Sequence, residues 1–447
     1  VQALAAGVEA EAAMNPVLLK PTTEHASQVV VMGKPLGTWP AATYQREKPA
    51  LLPIVLDALE DLRSRHDVVI CEGAGSPTEI NLLDRDIANL GLARDAGLPA
   101  VVVGDIDRGG VFAALYGTVA LLPADLRPLV RGFIVNKFRG DRDLLGDATA
   151  VLERRCGVPT LGCLPMVAGA DLDAEDSLAL DGFAGAGGTA EVDGAAEDGP
   201  DGPVLDVAAV RLPRVANFGD LDPLRLEPAV RVRWVRSRAE LGRPHLVVLP
   251  GSKSTRSDLA WMRRTGLADA IGECGAPVVG VCAGLQMMGR TIDDAAGVEG
   301  DPGRADGLGW LPVDTRFERD KVLDRPVGRV VGGPGKGEAV AGYRIHHGRV
   351  RADPGAQPWI EADDGTALGW HQEAPARAAT TLHALFESDG FRAELLRWAA
   401  AEAGVAEPPG LGRRSFTGAR LARLDRIADA IEEHVHLDRL FELIESA

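Results

Sequence analysis

The stretch Pro277-Val-Val-Gly-Val-Cys-Ala-Gly-Leu-Gln-Met-Met-Gly289 limits the choice of fold more than any other. Its apolar run reads as a buried strand, the small residues around Cys282 as a sharp turn, and Leu-Gln-Met-Met as part of a helix. A residue at such a turn stands out from its sheet, with the first N–H groups of the helix facing it. Cys282 therefore has two readings. It is a nucleophile presented by the turn, or it is a buried apolar filler, the commoner fate of a free cysteine.

The alternation of strand and helix runs through the chain. Ser27–Gly33 reads as a strand and residues 49–65 as an amphipathic helix. Three strand-to-turn junctions follow, His66-Asp-Val-Val-Ile-Cys-Glu72-Gly-Ala-Gly75, Leu98 to Gly110 through Asp105, and Val130 to Asp141 through Asn136-Lys137. A second series begins at Val204–Val210, continues through Arg231–Val235 and Leu246–Leu249, and includes the Cys282 turn. Strands alternating with helices imply an α/β protein with parallel, doubly wound sheets and sites at the strand ends. Val1–Ala13 reads as part of a helix that begins without a cap. Residues 183–203, rich in Gly, Ala, Asp and Glu, read as a solvated linker. From Gly410 onward, Leu421, Leu424, Ile427, Ala428 and Ile431 share a helical stripe, so the end reads as a helical tail packing on the body or on a second subunit. The expected organisation is 1–182, a linker at 183–203, 204–405, and a tail at 406–447.

At 447 residues the chain has ample core for two or three domains. A formal charge of −17 opposes binding to nucleic acid or anionic lipid. No run of about eighteen apolar residues and no signal-like start occur, so a cytoplasmic protein with no membrane partner is expected. Five cysteines with no CxxC pair (71, 156, 163, 274, 282) read as reduced thiols rather than a disulfide or zinc framework. Glu72, at a strand's carboxyl end beside two glycines, is placed to hold Mg²⁺ next to a nucleotide phosphate, or to serve as a turn acid or helix cap. His245-Leu-Val-Val-Leu-Pro-Gly-Ser-Lys253 ends in a Pro-Gly turn able to offer bare N–H groups to an oxyanion. Thr381-Leu-His383 supplies a base for Cys282, the two adjacent in space rather than in sequence. His346 and His347 are neighbours on a strand and point to opposite faces, which opposes a shared metal. Glu299 reads as a turn acid, His371 has no role, and His434 and His436 read as surface residues.

LPGSKST, GVCAGLQMMG, GVEG, GLGWLP, GYRIHHG and TLHALFESDGFR together resemble the glutaminase half of the cobyric acid synthase family, within the class I glutamine amidotransferases. The resemblance implies that Cys282 attacks the glutamine amide, that His383 moves the protons, and that the Gly251 and Ala283 N–H groups form the oxyanion hole. Class I members carry a glutamate two residues after the histidine, where this chain has Leu385, so the acid of the triad stays open, with Glu387 a loose candidate. The first half, with MNPVLLKP and Glu175-Asp-Ser177, resembles the ATP-dependent synthetase domain of the same family and of dethiobiotin synthetase. That implies ATP and Mg²⁺ as cofactors, with Asn136 reading adenine and Glu72 on Mg²⁺. No G-x-x-x-x-G-K-[ST] occurs in the 447 residues, and Gly251-Ser-Lys-Ser-Thr255 matches only its tail. The chain thus reads as a member without its N-terminal strand, P-loop and first helix. The implied reaction is amidation of the b, d, e and g carboxylates of a corrinoid, adenosylcobyrinic acid a,c-diamide, in cobalamin biosynthesis. The alternatives are an a,c-diamide synthase-like ligase, a synthetase-inactive glutaminase or scaffold, and a thiol hydrolase of another amide or ester.

Overall fold

The structure, a computed structural model, describes residues 1–21, 26–170 and 204–446. The linker expected at 183–203 and the Glu175–Ser177 motif lie outside the described residues. The chain divides into two units, Val1–Ala170 with Arg423–Ala447, and Asp171–Ala422.

In the first unit, helix Leu52–Arg65 starts with proline in its first turn and buries Val55, Ala58, Leu59 and Leu62 on one stripe. Val55 and Leu59 pack with Val29 of strand Ala26–Val31 and with Leu92. Strands Ala100–Asp105, Val130–Phe138 and Thr160–Pro165 form a parallel sheet in simple chain order. Leu115 and Val119 of helix Val111–Leu121 pack in one cluster with Phe133 and Val135 of that sheet. Three strands in chain order contain no reversal, so the doubly wound sheet expected here is not present among the described strands.

Two other expectations for this unit are corrected. Residues 66–72 form no strand, and Ile70 is 86% exposed. The run is apolar enough for a strand, but a strand also needs a neighbour to complete its ladder, and the described residues pair none with it. The helix expected over Val1–Ala13 is confined to Gln2–Ala5, because the chain turns left-handed at Gly7 (φ +67°), followed by a 3₁₀ turn at Ala12–Met14. The residues read as a tail at 406–447 form helices Phe416–His434 and Leu437–Glu445. Those from Arg423 onward group with the first unit: the His436 N–H donates to the Leu161 carbonyl at 2.8 Å, and Val435 bridges Gly162. A side chain at Gly162 would come within 2.4 Å of the His434 carbonyl, so this approach requires glycine.

The second unit is built on a parallel sheet of β1 (Leu205–Val210), β2 (Val230–Val235), β3 (Leu246–Leu249), β4 (Val278–Val281) and β5 (Arg377–Thr380). Their spatial order is β5-β4-β3-β1-β2. Alternate residues feed two cores: Val207 and Ala209 join Val248, Val279 and Val281, while Ala208 and Val210 join Val247, Leu249 and Val278. Burial on both faces explains why these runs read as continuously apolar rather than alternating. Beyond β5 the sheet continues antiparallel through Ala367–Gln372, Gln357–Ala362, Val327–Val330 and Ala339–Ala341. A separate sheet holds Thr291–Asp294, Gly303–Asp306, Val313–Asp324 and Arg344–Ala352. The chain leaves β1 for β2 on one side and returns to β3 on the other, so the strand order reverses at β1. The crevice at the carboxyl ends beside such a reversal is where open α/β sheets place their sites. Among the described residues no helix is long and apolar enough to cross a membrane.

Candidate active site

Four of the five parallel strands deliver side chains or loops to one place. After β4, Cys282 takes φ +54° and ψ −105°, a conformation costly for a residue with a side chain, and caps helix α1 (Ala283–Met288). Its own N–H donates to the Thr380 carbonyl at the end of β5, 2.8 Å away, which anchors the turn. The helix leaves so close to the sheet that a side chain at Gly284 would lie 2.1 Å from the Leu249 carbonyl of β3. Ala283 opens that helix, so its N–H has no intrahelical acceptor. Gly251, just past β3, pairs with Ala216, and a side chain there would come within 3.2 Å of the His383 ring.

His383 lies three residues past β5 and is 1% exposed. Its Nδ1 is 2.7 Å from Asp220 Oδ2, and the other carboxylate oxygen, Oδ1, accepts the Ala384 N–H at 2.8 Å. A carboxylate on Nδ1 fixes the tautomer with the proton there and leaves Nε2 for chemistry. The Asn217 amide nitrogen lies against the same ring, 3.0 Å from Nε2. Tyr343 stacks on it with centroids 5.2 Å apart, and the two residues exchange both backbone hydrogen bonds. Burial works against a charge on His383, but the Asp220 and Cys282 charges, with their hydrogen bonds, outweigh it and push the imidazole up to about 10. A thiol, an imidazole and a carboxylate thus lie in mutual reach at Cys282, His383 and Asp220.

Asp220 is the residue the sequence reading left without a role. It sits in Asn217-Phe-Gly-Asp220 on the 3₁₀ turn Phe218–Leu221, in the loop after β1. Glu387, the loose candidate for the acid, lies instead 3.7 Å from Arg420. His346 and His347 bond different backbone carbonyls, those of Gly348 and Glu318, and burial pushes the His346 ring down to about 4, which keeps it neutral. His371 is buried, and His434 bonds Arg142 rather than standing free on the surface.

In the first unit, Glu72 is exposed on the irregular segment and accepts the Gln2 amide N–H at 3.2 Å. Asn136 lies two residues before the end of strand Val130–Phe138, its amide oxygen accepting the Lys137 N–H, and Lys137 is paired with Asp105 at 2.9 Å. Among the described residues no group of three His, Cys, Asp or Glu could hold a metal ion, and a Mg²⁺ on Glu72 would take its other ligands from water and phosphate.

Comparison with known proteins agrees with the second unit's geometry. Residues 206–391 match the family described as CobB/CobQ-like glutamine amidotransferase domain. The whole chain is 47% identical over 450 residues to the cobyric acid synthase of Streptomyces avermitilis, covering 100% of this chain and 85% of that protein. It is equally 47% identical over 449 residues to the cobyric acid synthase of Saccharopolyspora erythraea, covering 100% of this chain and 83% of that one. The chain belongs to the cobyric acid synthase family, and it is an enzyme of the amidotransferase and ligase kind.

Proposed function

We propose that the second unit hydrolyses glutamine through a Cys282 thioester and that the ammonia amidates a carboxylate. The observation that carries this reading is the Asp220–His383 pair at 2.7 Å, in contact with the cysteine at the strained turn. The Cys282 thiolate attacks the side-chain amide carbon, and the oxygen becomes an oxyanion held by the N–H groups of Ala283 and Gly251. His383 then gives its proton to the leaving nitrogen, ammonia departs, and a γ-glutamyl thioester remains. Water, deprotonated by His383, attacks the thioester, releasing glutamate and restoring the Cys282 thiolate beside the protonated imidazole. Asp220 holds the ring in place through both proton transfers.

For the acceptor, the family name supports a corrinoid carboxylate, and we infer the b, d, e and g groups of adenosylcobyrinic acid a,c-diamide. ATP with Mg²⁺ would supply carboxylate activation, since a carboxylate is a poor electrophile and an acyl phosphate a good one. Glu72 would offer Mg²⁺ a carboxylate and Asn136 would offer a nucleotide an amide, and no step is routed through either.

The test is ammonia release from glutamine. Cys282→Ser removes the nucleophile with little change in volume, and release should fall by about 10³-fold or more while the fold is retained. Undiminished release by the variant overturns the reading, and faster turnover of another amide or ester favours a hydrolase of different substrate.

A further inference from the structure

The segment after Gly251 leads to a buried acid that the proposed chemistry does not use. Asp258 stands in the first turn of helix Thr255–Arg264, is 1% exposed, and makes no ion pair within 4.0 Å among the described residues. A carboxyl in such a place is costly unless its oxygens are bonded. One of them is bonded twice: Oδ2 accepts the Ser252 hydroxyl at 2.6 Å and the Arg214 N–H at 3.1 Å. Oδ1 has no hydrogen-bond partner among the described residues. Burial pushes the carboxyl up, and the two bonds to Oδ2 oppose the rise.

The two partners of Oδ2 belong to different segments. Ser252 follows Gly251, whereas Arg214 opens the stretch that runs through Ala216 to Asn217 and Asp220. These segments meet in an antiparallel pairing of only two residues on each side, Gly251 with Ala216 and Ser252 with Val215, extended by the Lys253 N–H on the Arg214 carbonyl at 3.0 Å. So short a pairing has little hold of its own. Asp258 closes it from outside, taking the Arg214 N–H on one side and the Ser252 hydroxyl on the other, while the Ser252 oxygen also accepts the Ser254 N–H at 2.9 Å. One of the fastened segments carries Gly251, and the other delivers Asp220 to His383 Nδ1. Little slack exists between them, since a Cβ added at Gly251 would lie 3.1 Å from the Ala216 carbonyl oxygen and 3.2 Å from the His383 ring.

We infer that Asp258 is a positioning residue for glutamine hydrolysis: through Oδ2 it locks the Gly251 segment to the Arg214–Asp220 segment, and so sets the oxyanion N–H and the Asp220–His383 pair in one register. With no cation beside it, Asp258 acts as a hydrogen-bond acceptor and not as a charge. The inference rests on the glutaminase reading above.

The test is steady-state hydrolysis of glutamine by the full chain, followed against pH. Asp258→Ala cuts both bonds, so kcat should fall about 10- to 100-fold with KM for glutamine within about threefold of wild type. The alkaline limb of its kcat profile should move to lower pH, because a loosened Asp220 raises the His383 imidazole less. Asp258→Asn keeps an oxygen able to accept both bonds and loses only the charge, so it should restore most of the rate and return the limb to its wild-type position. Ser252→Ala cuts the link to Gly251 alone, and it should lower kcat without moving the limb. A role confined to stability would lower the unfolding midpoint of Asp258→Ala and leave the limb in place, which would overturn the inference. An asparagine variant as slow as the alanine one would overturn it too. Should Asp258→Ala fail to fold, the other two variants decide: a slowed Ser252→Ala beside a fast Asp258→Asn supports the inference, and a wild-type rate in Ser252→Ala overturns it. A wild-type chain that releases no ammonia from glutamine sinks the glutaminase reading and this one with it. Wild-type release with kcat unchanged in Asp258→Ala sinks this one alone.

Discussion

His383 is enclosed between Tyr343, Asn217, Asp220 and Cys282, and in that enclosure its charge depends on its anionic neighbours. Because burial alone lowers the imidazole and the Asp220 and Cys282 charges raise it to about 10, the imidazolium persists through neutral pH and is lost as the pH climbs through that value. Replacing Asp220 with asparagine removes one of the two charges and moves that loss downward. Asp220→Asn should therefore shift the alkaline limb of the glutaminase pH–rate profile to lower pH, and lower kcat by on the order of 10²–10⁴-fold. A kcat and an alkaline limb matching wild type would show that Asp220 only fills space. Cys282 could be singled out in the sequence by the small-residue turn that follows its apolar run, and His383 by the TLHALFESDGFR stretch that carries the family resemblance. Asp220 was not. It lies 163 positions before its partner, an ordinary acid in a turn, and no spacing rule joins the two until the sheet places β1 and β5 at the same end.

At the scale of elements, the turn between β4 and α1 works because its glycines let backbone approach backbone. Gly284 has no room for a side chain against the Leu249 carbonyl at 2.1 Å, so even Gly284→Ala must push α1 away from β3. The expected cost is about 1–3 kcal/mol, read as a lowered denaturation midpoint, with a fall in kcat as Ala283 and Cys282 move together. A variant with wild-type stability and rate would mean that the helix has slack its packing does not suggest. Local pattern also explains which elements could be read ahead of the structure. Strands β1, β3 and β4 are apolar on both faces, a signal that survives without knowledge of the partners. The run at 66–72 carries a similar signal, yet whether it becomes a strand depends on what lies beside it, and that information is not in the run.

Across the second unit as a whole, one buried ion pair ties distant segments together. Arg392 and Glu227 both have side chains that are 0% exposed, 2.8 Å apart. Arg392 also donates to the Phe386 and Arg414 carbonyls, while Glu227 accepts the Gly412 N–H. The pair therefore joins helix Asp389–Glu402, the approach to β2, and the segment beyond residue 410. Glu227→Gln leaves the guanidinium with only the partly exposed Asp389 carboxylate, 2.8 Å away, and should cost up to roughly 3–5 kcal/mol, whereas the double change to apolar residues of similar size should cost much less. Equal losses from the single and double variants, measured by denaturant unfolding, would show that the pair contributes through its own attraction rather than by mutual neutralisation. Neither residue was visible as special in the sequence, since a charged residue 165 positions from its partner looks like any other.

The convergence of loops after β1, β3, β4 and β5 also has a bearing on time. As the polypeptide emerges during synthesis, the cysteine exists long before residues 377–383, but its turn then lacks the Thr380 carbonyl that anchors it, and a thiol with no Asp220–His383 pair beside it is only a thiol. Contacts of such long sequence separation are the slowest to close. On the proposed glutaminase reading, ammonia can therefore be made only once the last parallel strand has docked, so the order of chain assembly itself acts as a safety catch on the chemistry.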